Sequence, residues 1–193
     1  MHKIILASKS KVRKKILDEN NIECKVFPSN ADEELVKKSL IKENLSPELI
    51  SKNLAELKAN KVSLKFNKEI VIGADSVIDM NGELISKPKN RDEALKILKK
   101  LNGKTHNLIS SVCISKNGSM IWHYTDKASL TMKNMTEIEL QKYLSKITDE
   151  ALYAYNVYQI EGEGKSLFLK IKGDEDTIMG LPIKKIKNYL EKL

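Results

Sequence analysis

The chain has 193 residues, of which 41% are hydrophobic and 31% are charged. This composition is typical of a folded protein with a substantial core, and we expect a single domain over residues 1–193. No run approaches the roughly 20 apolar residues that span a bilayer, and the apolar stretch near the start is too short for a signal peptide. We therefore expect no membrane association and a cytoplasmic location.

The formal net charge of +8 suits a polyanionic partner, either nucleic acid or a smaller phosphate-rich molecule. Lysines are spread along the whole chain, however, and aromatic residues make up only 5% of it, so no basic and aromatic stacking platform is evident. A nucleic-acid-binding function would rest on net charge alone, and we expect no stable nucleic-acid binding. Cys24 and Cys113 each lie in an apolar run without metal-ligand spacing, which predicts two buried thiols.

In the first half of the chain, short apolar runs alternate with amphipathic segments. The predicted elements are a strand at residues 3–8, a helix capped by Ser10, a strand at 24–28, a helix from Ser46-Pro47 to about Lys65, and a strand at 69–75. Serine at a cap and proline at the first helical position are good start signals for a helix. The last run, EIVIGAD, is of the kind that is buried on both faces of a sheet.

The second half of the chain contains two hairpin signals, and the first is the Asn81-Gly82 pair between apolar runs. The elements predicted after it are a helix at 91–101, a second hairpin with strands at 106–115 and 119–132, a helix capped by Thr136 and Glu139, a strand at 166–171, and a final helix from Ile183. Because two hairpins interrupt the alternation of strands and helices, we predict an α/β fold with a mixed, twisted sheet flanked by helices.

The segment LASKSKVRKK places hydroxyls and a guanidinium where a strand leads into a helix. The hydroxyls of Ser8 and Ser10, the Arg13 guanidinium and the N–H groups of the first helical turn could together hold phosphate oxygens. The alternative is a serine-capped amphipathic helix with solvated lysines, and this stretch alone leaves both open. The GEGKS segment at 162–166 is not a P-loop, because Gln159 stands where the first glycine is required.

Two acids, Glu33 and Asp75, follow or end predicted strands. Carboxylates at strand ends can hold a hard divalent cation that bridges phosphate groups, although a surface acid is the default interpretation of either one. The histidines show neither metal-ligand nor catalytic-triad spacing, so the sequence does not support nucleophilic catalysis.

Six segments carry a wider signature: ILASKSKVRKKIL, ADE at 31–33, LAELKANKV, VIGADSVIDMNGELISKPKNRDEALKILKKLNGKTH, EGEG at 161–164 and GDEDTIMGLP. In order and spacing they resemble the Maf family of nucleoside triphosphate pyrophosphatases. The resemblance implies a two-lobed fold with a central cleft, similar in shape to the inosine triphosphate pyrophosphatases, and often a homodimer. It also implies a metal-dependent attack by water that splits a nucleoside triphosphate into a monophosphate and pyrophosphate.

The resemblance further implies roles for particular residues. Asp75 is similar to the catalytic acid/base that acts on water, and Glu33 to its acidic companion beside Mg²⁺ or Mn²⁺. The residues implied to hold the nucleoside triphosphate substrate are Ser8, Ser10, Arg13, Lys58 and Lys87. The alternative function is a non-catalytic nucleotide-binding regulator of cell division and septum formation, but a pure binding module would not need the acid pair.

Three positions, Val12, Ser76 and Glu161, depart from the family pattern and bear on base preference. Arginine, threonine and glutamine at these positions accompany a preference for dTTP and UTP in the family, whereas a glutamate at the last one accompanies the 7-methyl-GTP branch. We expect Glu161 to accept hydrogen bonds from the N1–H and 2-amino edge of guanine. The alternative is that it accepts backbone N–H groups of the turn at 162–164.

Overall fold

Seven strands form one mixed sheet in the computed structural model, which describes residues 3–154 and 157–193. The strands are β1 Ile4–Leu6, β2 Cys24–Val26, β3 Ile70–Met80, β4 Glu83–Ile85, β5 Thr105–Lys116, β6 Ser119–Met132 and β7 Phe168–Lys172. Their order is β2-β1-β3-β5-β6-β7, with β4 also paired to β3. β1 is parallel to β2 and β3, and the other pairs are antiparallel. The predicted mixed α/β fold is confirmed.

Both predicted hairpins are present. Asn81 and Gly82 connect β3 to β4 with φ angles of 55° and 88°, and Asn117 and Gly118 connect β5 to β6 with φ angles of 50° and 79°. These positive angles are tolerated by asparagine and glycine better than by other residues, which is why the two dipeptides are informative in the sequence.

The helices are α1 Lys11–Glu19, α2 Glu33–Lys42, α3 Pro47–Ser63, α4 Arg91–Leu101, α5 Glu137–Lys146, α6 Asp149–Ala154, α7 Glu175–Ile178 and α8 Ile183–Leu190, together with a 3-10 helix at Glu163–Leu167. The predictions of α1, α3, α4, α5 and α8 are confirmed. Ser10, Ser46 and Thr136 cap three of these helices by accepting a backbone N–H, and Thr136 and Glu139 form a complete capping box.

Helices α2, α6 and α7 and the 3-10 helix have no counterpart among the predicted elements. In α2 no residue is buried, and Leu35 and Ile41 are 66% and 45% exposed. Its apolar residues therefore form no stripe that faces the core, and the periodicity that reveals most helices is lacking. Its start is marked instead by Asp32, whose side chain accepts the Leu35 backbone N–H at 3.0 Å.

Strand β3 connects two apolar cores that lie on either side of its midpoint. Ile72 and Ala74 belong to a core shared with α1 and α8, whereas Ile78 and Met80 belong to a core shared with α4 and α5. Asp75 lies between these pairs and is 8% exposed. The two cores agree with the two-lobed fold that the family resemblance implies, and they place this acid where the lobes meet.

Helix α3 lies directly against β3 because of Gly73. A Cβ atom at Gly73 would lie 2.3 Å from the Ala55 carbonyl oxygen and 2.9 Å from the Ala59 Cβ, so no larger residue fits. This close approach brings Lys58, which lies between the two alanines in α3, to the midpoint of β3.

Cys24 and Cys113 are free, buried thiols, as predicted. Burial raises the pKa of the Cys113 thiol to about 11, so it is uncharged at neutral pH. None of the helices in the described part of the chain has the length and apolar character needed to cross a membrane.

Candidate active site

The first part of the site is the loop between β1 and α1. The Ser10 Oγ caps α1 by accepting the Arg13 backbone N–H at 3.3 Å. The Ser8 Oγ accepts the Ser10 backbone N–H and an Arg13 Nη1 hydrogen, both at 3.2 Å. Because both oxygens act as acceptors in these bonds, the hydroxyl hydrogens point elsewhere and are suited to donate to an anion.

The Arg13 guanidinium joins three parts of the chain. Besides its bond to Ser8, Nη1 donates to the Ala74 carbonyl at 2.9 Å, Nη2 donates to the Ser76 Oγ at 3.1 Å, and Nε donates to the Gly180 carbonyl at 2.9 Å. Four of the five N–H donors of an arginine are thus directed at acceptors of the chain itself. Burial lowers the pKa of Arg13, and the neighbouring charges of Asp75 and Glu33 raise it.

Lys58 lies between the two predicted acids. Its Nζ is 2.7 Å from Glu33 Oε2 and 2.8 Å from Asp75 Oδ1, and it donates to the Ala74 carbonyl at 3.3 Å. Lys58 is 5% exposed, whereas the Glu33 side chain is 46% exposed. An ammonium has three hydrogens, and each has an acceptor here. The contact brings α2, α3 and β3 together at one point.

Arg13, Lys58, Glu33 and Asp75 form a charge cluster, and Lys87, which follows β4, adds positive charge to it. Desolvation, followed by the charge of Arg13, lowers the pKa of Lys87, and Asp75 raises it, so these groups lie within electrostatic range of one another. With every group ionised, Arg13, Lys58 and Lys87 outnumber Glu33 and Asp75 by three charges to two. The cluster therefore carries a net charge of +1, which favours an anionic ligand.

The oxygen atoms that could hold a metal ion come from two carboxylates. Glu33 Oε2 and Asp75 Oδ1 converge on a single cationic atom, the Lys58 Nζ. Across residues 3–154 and 157–193, no group of three or more His, Cys, Asp or Glu side chains is arranged to bind a metal. A full set of protein ligands for a metal ion is thus lacking in this part of the chain. The two carboxylates suit a metal ion that takes its remaining ligands from water and phosphate.

The three predicted specificity residues have different environments. Val12 is 8% exposed and lies on the buried face of α1, in the core. Ser76 contacts Arg13 and so lies inside the cluster. Glu161 is exposed, and its Oε1 accepts the Gln159 side-chain amide at 3.0 Å. Among the contacts of the described residues, none joins Glu161 to the Asp75 cluster.

Two further residues of the cluster, Ser51 and Ser110, were not predicted from the sequence. Ser110 of β5 lies 2.8 Å from Ser76, hydroxyl to hydroxyl, and the Ser51 hydroxyl donates to the Asp75 carbonyl at 3.1 Å. Ser110 sits within an apolar strand, and nothing in the residues around it marks it as functional. Only the pairing of β3 with β5, which places Ser76 opposite Ser110, reveals the contact.

Comparison with known proteins identifies relatives along nearly the whole chain. Residues 3–193 match a family model described as Maf-like protein. A nucleoside triphosphate pyrophosphatase of Pelagibacter ubique is 73% identical over 188 residues, covering 97% of this chain and 96% of that protein. A 7-methyl-GTP pyrophosphatase of Rhizobium etli is 35% identical over 191 residues, covering 99% of this chain and 96% of that protein. In fold, the chain is similar to the Staphylococcus aureus Ham1 protein, with a TM-score of 0.50, 15% identity and 98% of each chain covered.

Proposed function

The chain belongs to the Maf family, and from this membership we propose that it is a nucleoside triphosphate pyrophosphatase. The match to residues 3–193 confirms the resemblance drawn from the six sequence segments. Its relatives in Pelagibacter ubique and Rhizobium etli, named as pyrophosphatases, support the same substrate class and reaction for this chain. The cellular role we assign is the removal of unwanted nucleotides before they enter nucleic acid.

The observation that carries this proposal is the contact of one buried ammonium, that of Lys58, with both Glu33 and Asp75. Removing such charges from water is costly, and an apolar residue of similar size would stabilise a fold at least as well. A regulator that only binds nucleotide would need the positive charges but not the acid pair. The acid pair therefore favours catalysis over the regulatory alternative.

In the proposed reaction, Asp75 accepts a proton from the attacking water. The water oxygen bonds to the α-phosphorus, the bond from that phosphorus to the α–β bridging oxygen breaks, and pyrophosphate leaves. Lys58 holds Asp75 Oδ1 at 2.8 Å and so orients the carboxylate. The charges of Lys58, Lys87 and Arg13 stabilise the negative charge that spreads over the phosphate oxygens in the transition state.

Substrate phosphates are held, in this proposal, by the loop before α1 and by Lys87. The Ser8 and Ser10 hydroxyls and the N–H groups of the first turn of α1 supply hydrogen-bond donors. Arg13 contributes mainly its charge, because most of its donors already have acceptors within the chain. Binding then requires little rearrangement of the guanidinium, which favours a preorganised site.

Glu33 and Asp75 are the residues that would hold the divalent cation, Mg²⁺ or Mn²⁺. Lys58 contacts one oxygen of each carboxylate, which leaves the second oxygen of each as a hard donor for the ion. Mg²⁺ is commonly bound by one or two carboxylates together with substrate phosphates. When bound, the ion would neutralise phosphate charge and help to activate the water.

Guanine-type bases are the proposed preference, through Glu161. Its carboxylate is exposed, and a carboxylate that accepts one bond from Gln159 can accept others from a base. In the alternative, Glu161 accepts backbone N–H groups of the turn at 162–164. The partner in the structure is instead the side-chain amide of Gln159. The homodimer and the cytoplasmic location stay predictions.

Product analysis in ¹⁸O-labelled water tests the proposed reaction. With Mg²⁺ or Mn²⁺ and a panel of canonical and 7-methylated triphosphates, we expect monophosphate and intact pyrophosphate, with the ¹⁸O in the monophosphate. Asp75→Asn protein purified in the same way controls for contaminating hydrolases and should release pyrophosphate about 10²- to 10⁴-fold more slowly. Diphosphate with orthophosphate, or label in the pyrophosphate, would contradict attack at the α-phosphorus.

A further inference from the structure

A closed ring of hydrogen bonds holds Arg13 from two sides. On one side, Arg13 Nε donates to the Gly180 carbonyl at 2.9 Å, and the Gly180 N–H donates to the Thr177 carbonyl at 3.1 Å. On the other side, Arg13 Nη2 donates to Ser76 Oγ at 3.1 Å, and Ser76 Oγ lies 2.8 Å from Ser110 Oγ. Ser110 Oγ donates to the Thr177 carbonyl at 2.7 Å, which closes the ring.

The chemistry of these groups fixes the direction of each hydrogen bond. A carbonyl oxygen only accepts, so the single hydroxyl hydrogen of Ser110 is used on Thr177. In the contact between the two serines, Ser76 is therefore the donor and Ser110 the acceptor. The Ser76 oxygen then presents its lone pairs to Arg13. By accepting the Ser76 hydrogen, Ser110 thus sets the direction in which the Ser76 lone pairs face the guanidinium.

The ring has little room to rearrange. Ser110 and Thr177 are fully buried, and β3 and β5 are in a register that sets Ser76 opposite Ser110. A Cβ atom at Gly180, where φ is +94°, would lie 2.9 Å from Ser76 Oγ and 3.2 Å from Arg13 Nη2. The turn that ends at Gly180 is therefore packed directly on the Ser76 and Arg13 pair.

We propose that Ser110 is a positioning residue of the active site, which acts through Ser76 to hold the Arg13 guanidinium in place for the substrate phosphates. This inference rests on the proposed pyrophosphatase function, and it adds a residue from β5 that contributes no charge to the site. Its effect is indirect, since a misplaced guanidinium stabilises developing charge less well.

The kinetic test compares Ser110→Ala with Ser115→Ala. Ser115 is a matched control because it lies on the same strand, is fully buried, and donates to Asn60 Oδ1 at the same 2.7 Å. We expect both variants to lose similar thermal stability, but only Ser110→Ala to lower kcat/KM, by about tenfold. A loss of kcat/KM shared by Ser115→Ala, or no loss in Ser110→Ala, would overturn the proposal.

A double-mutant cycle separates action through Ser76 from a general structural effect. If Ser110 acts through Ser76, then Ser76→Ala combined with Ser110→Ala should lower kcat/KM no further than Ser76→Ala alone. Losses that multiply, to about a hundredfold, would instead mean that Ser110 acts independently of Ser76.

Arginine side-chain NMR tests the ring without any nucleotide. Arg13 is readily assigned because the chain has two arginines, Arg13 and Arg91. Arg91, whose Nη1 and Nη2 donate to the Leu144 and Ile147 carbonyls at 2.7 Å, serves as an internal reference. In Ser110→Ala we expect the Arg13 Nη2 hydrogens to exchange with water several-fold faster, with those of Arg91 unchanged. Unchanged Arg13 exchange would refute the ring.

The failure of the proposed function would show itself differently, as wild-type protein that releases no pyrophosphate. If Ser110→Ala does not fold, Ser110→Cys provides the same NMR comparison.

Discussion

The buried charge cluster around Asp75 and the exposed loop that carries Glu161 hold their charges in different ways. In the cluster, Lys58 is 5% exposed and contacts two carboxylates and a carbonyl. In the loop, the exposed Glu161 carboxylate accepts the Gln159 amide at 3.0 Å. Charges with several buried partners depend on one another, whereas an exposed carboxylate can change without disturbing the fold. We therefore expect the reaction to depend on the cluster and the choice of base to depend on the loop.

The Glu161 loop is nevertheless firmly attached at its base. Tyr158 is 4% exposed, and its hydroxyl lies 2.8 Å from His106 Nε2. A Cβ atom at Gly164 would lie 2.6 Å from the Gln159 backbone nitrogen, so the loop closes tightly on itself. The carboxylate is thus presented to solvent on a well-supported backbone, which suits recognition of a ligand.

The largest effect is expected for Asp75→Asn, which removes the proposed base. The substitution keeps the shape of the side chain, so the fold should persist, and kcat for pyrophosphate release should fall by about 10²- to 10⁴-fold. Asp79→Asn is a matched control, because Asp79 is also buried in β3 but accepts the Gly82 N–H at 2.8 Å in the hairpin. Equal activity of a folded Asp75→Asn variant and the wild type would remove Asp75 from the mechanism.

Lys58→Met should have the next largest effect, because it leaves two carboxylates without their shared cation. Glu33 is partly exposed, so we expect a loss of about 3 kcal/mol in the free energy of unfolding by urea, at the low end for a buried pair. Lys61→Met is the control, since Lys61 is an exposed residue of α3 that donates to the Asn30 carbonyl. Added Mn²⁺ should restore more stability to Lys58→Met than to Lys61→Met. Equal stability of the two variants would mean that the buried contact has no energetic role.

A smaller effect, confined to base preference, is expected for Glu161→Gln. Hydrogen bonds to a charged acceptor are worth roughly 1.5 to 3 kcal/mol, so the ratio of kcat/KM for GTP over UTP should fall by about ten- to a hundredfold. Glu163→Gln is the control, because Glu163 is exposed in the same loop but pairs with Lys146 at 3.1 Å. A ratio that stays constant while stability changes would favour a structural role for Glu161.

The smallest effect concerns the pH dependence of stability at the base of the Glu161 loop. Burial lowers the pKa of His106 to about 4, from an ordinary value of 6.5, so the unfolded state binds a proton more readily than the folded state between these values. Stability should therefore decrease as pH falls through 6.5 towards 4. Between roughly pH 7 and 5.5, the free energy of unfolding by urea should decrease by about 1 kcal/mol less in His106→Gln than in the wild type. An unchanged pH dependence in this variant would show that His106 does not titrate in this way.

Most of the fold could be predicted from the sequence because its signals are local. Caps such as Ser10 and Thr136 and turns such as Asn81-Gly82 are specified by neighbouring residues, and the structure confirms them. The exceptions are α2, α6, α7 and the 3-10 helix, and in α2 no residue is buried, so no periodic stripe faces the core. The charged residues of the cluster were identifiable through the family resemblance, but Ser51, Ser110 and the contacts within the cluster were not.

Contacts between distant residues were decided only by the tertiary structure. Lys58 meets Asp75 across 17 positions because Gly73 lets α3 approach β3, and Arg13 meets Gly180 across 167 positions because the chain returns to the sheet after β7. The sequence determined by itself which charges the protein has and where each lies along the predicted helices and strands, although the helix that begins at Glu33 was not among them. Which of them are buried together depends on packing between elements, and that packing also brings the uncharged Ser110 into the site.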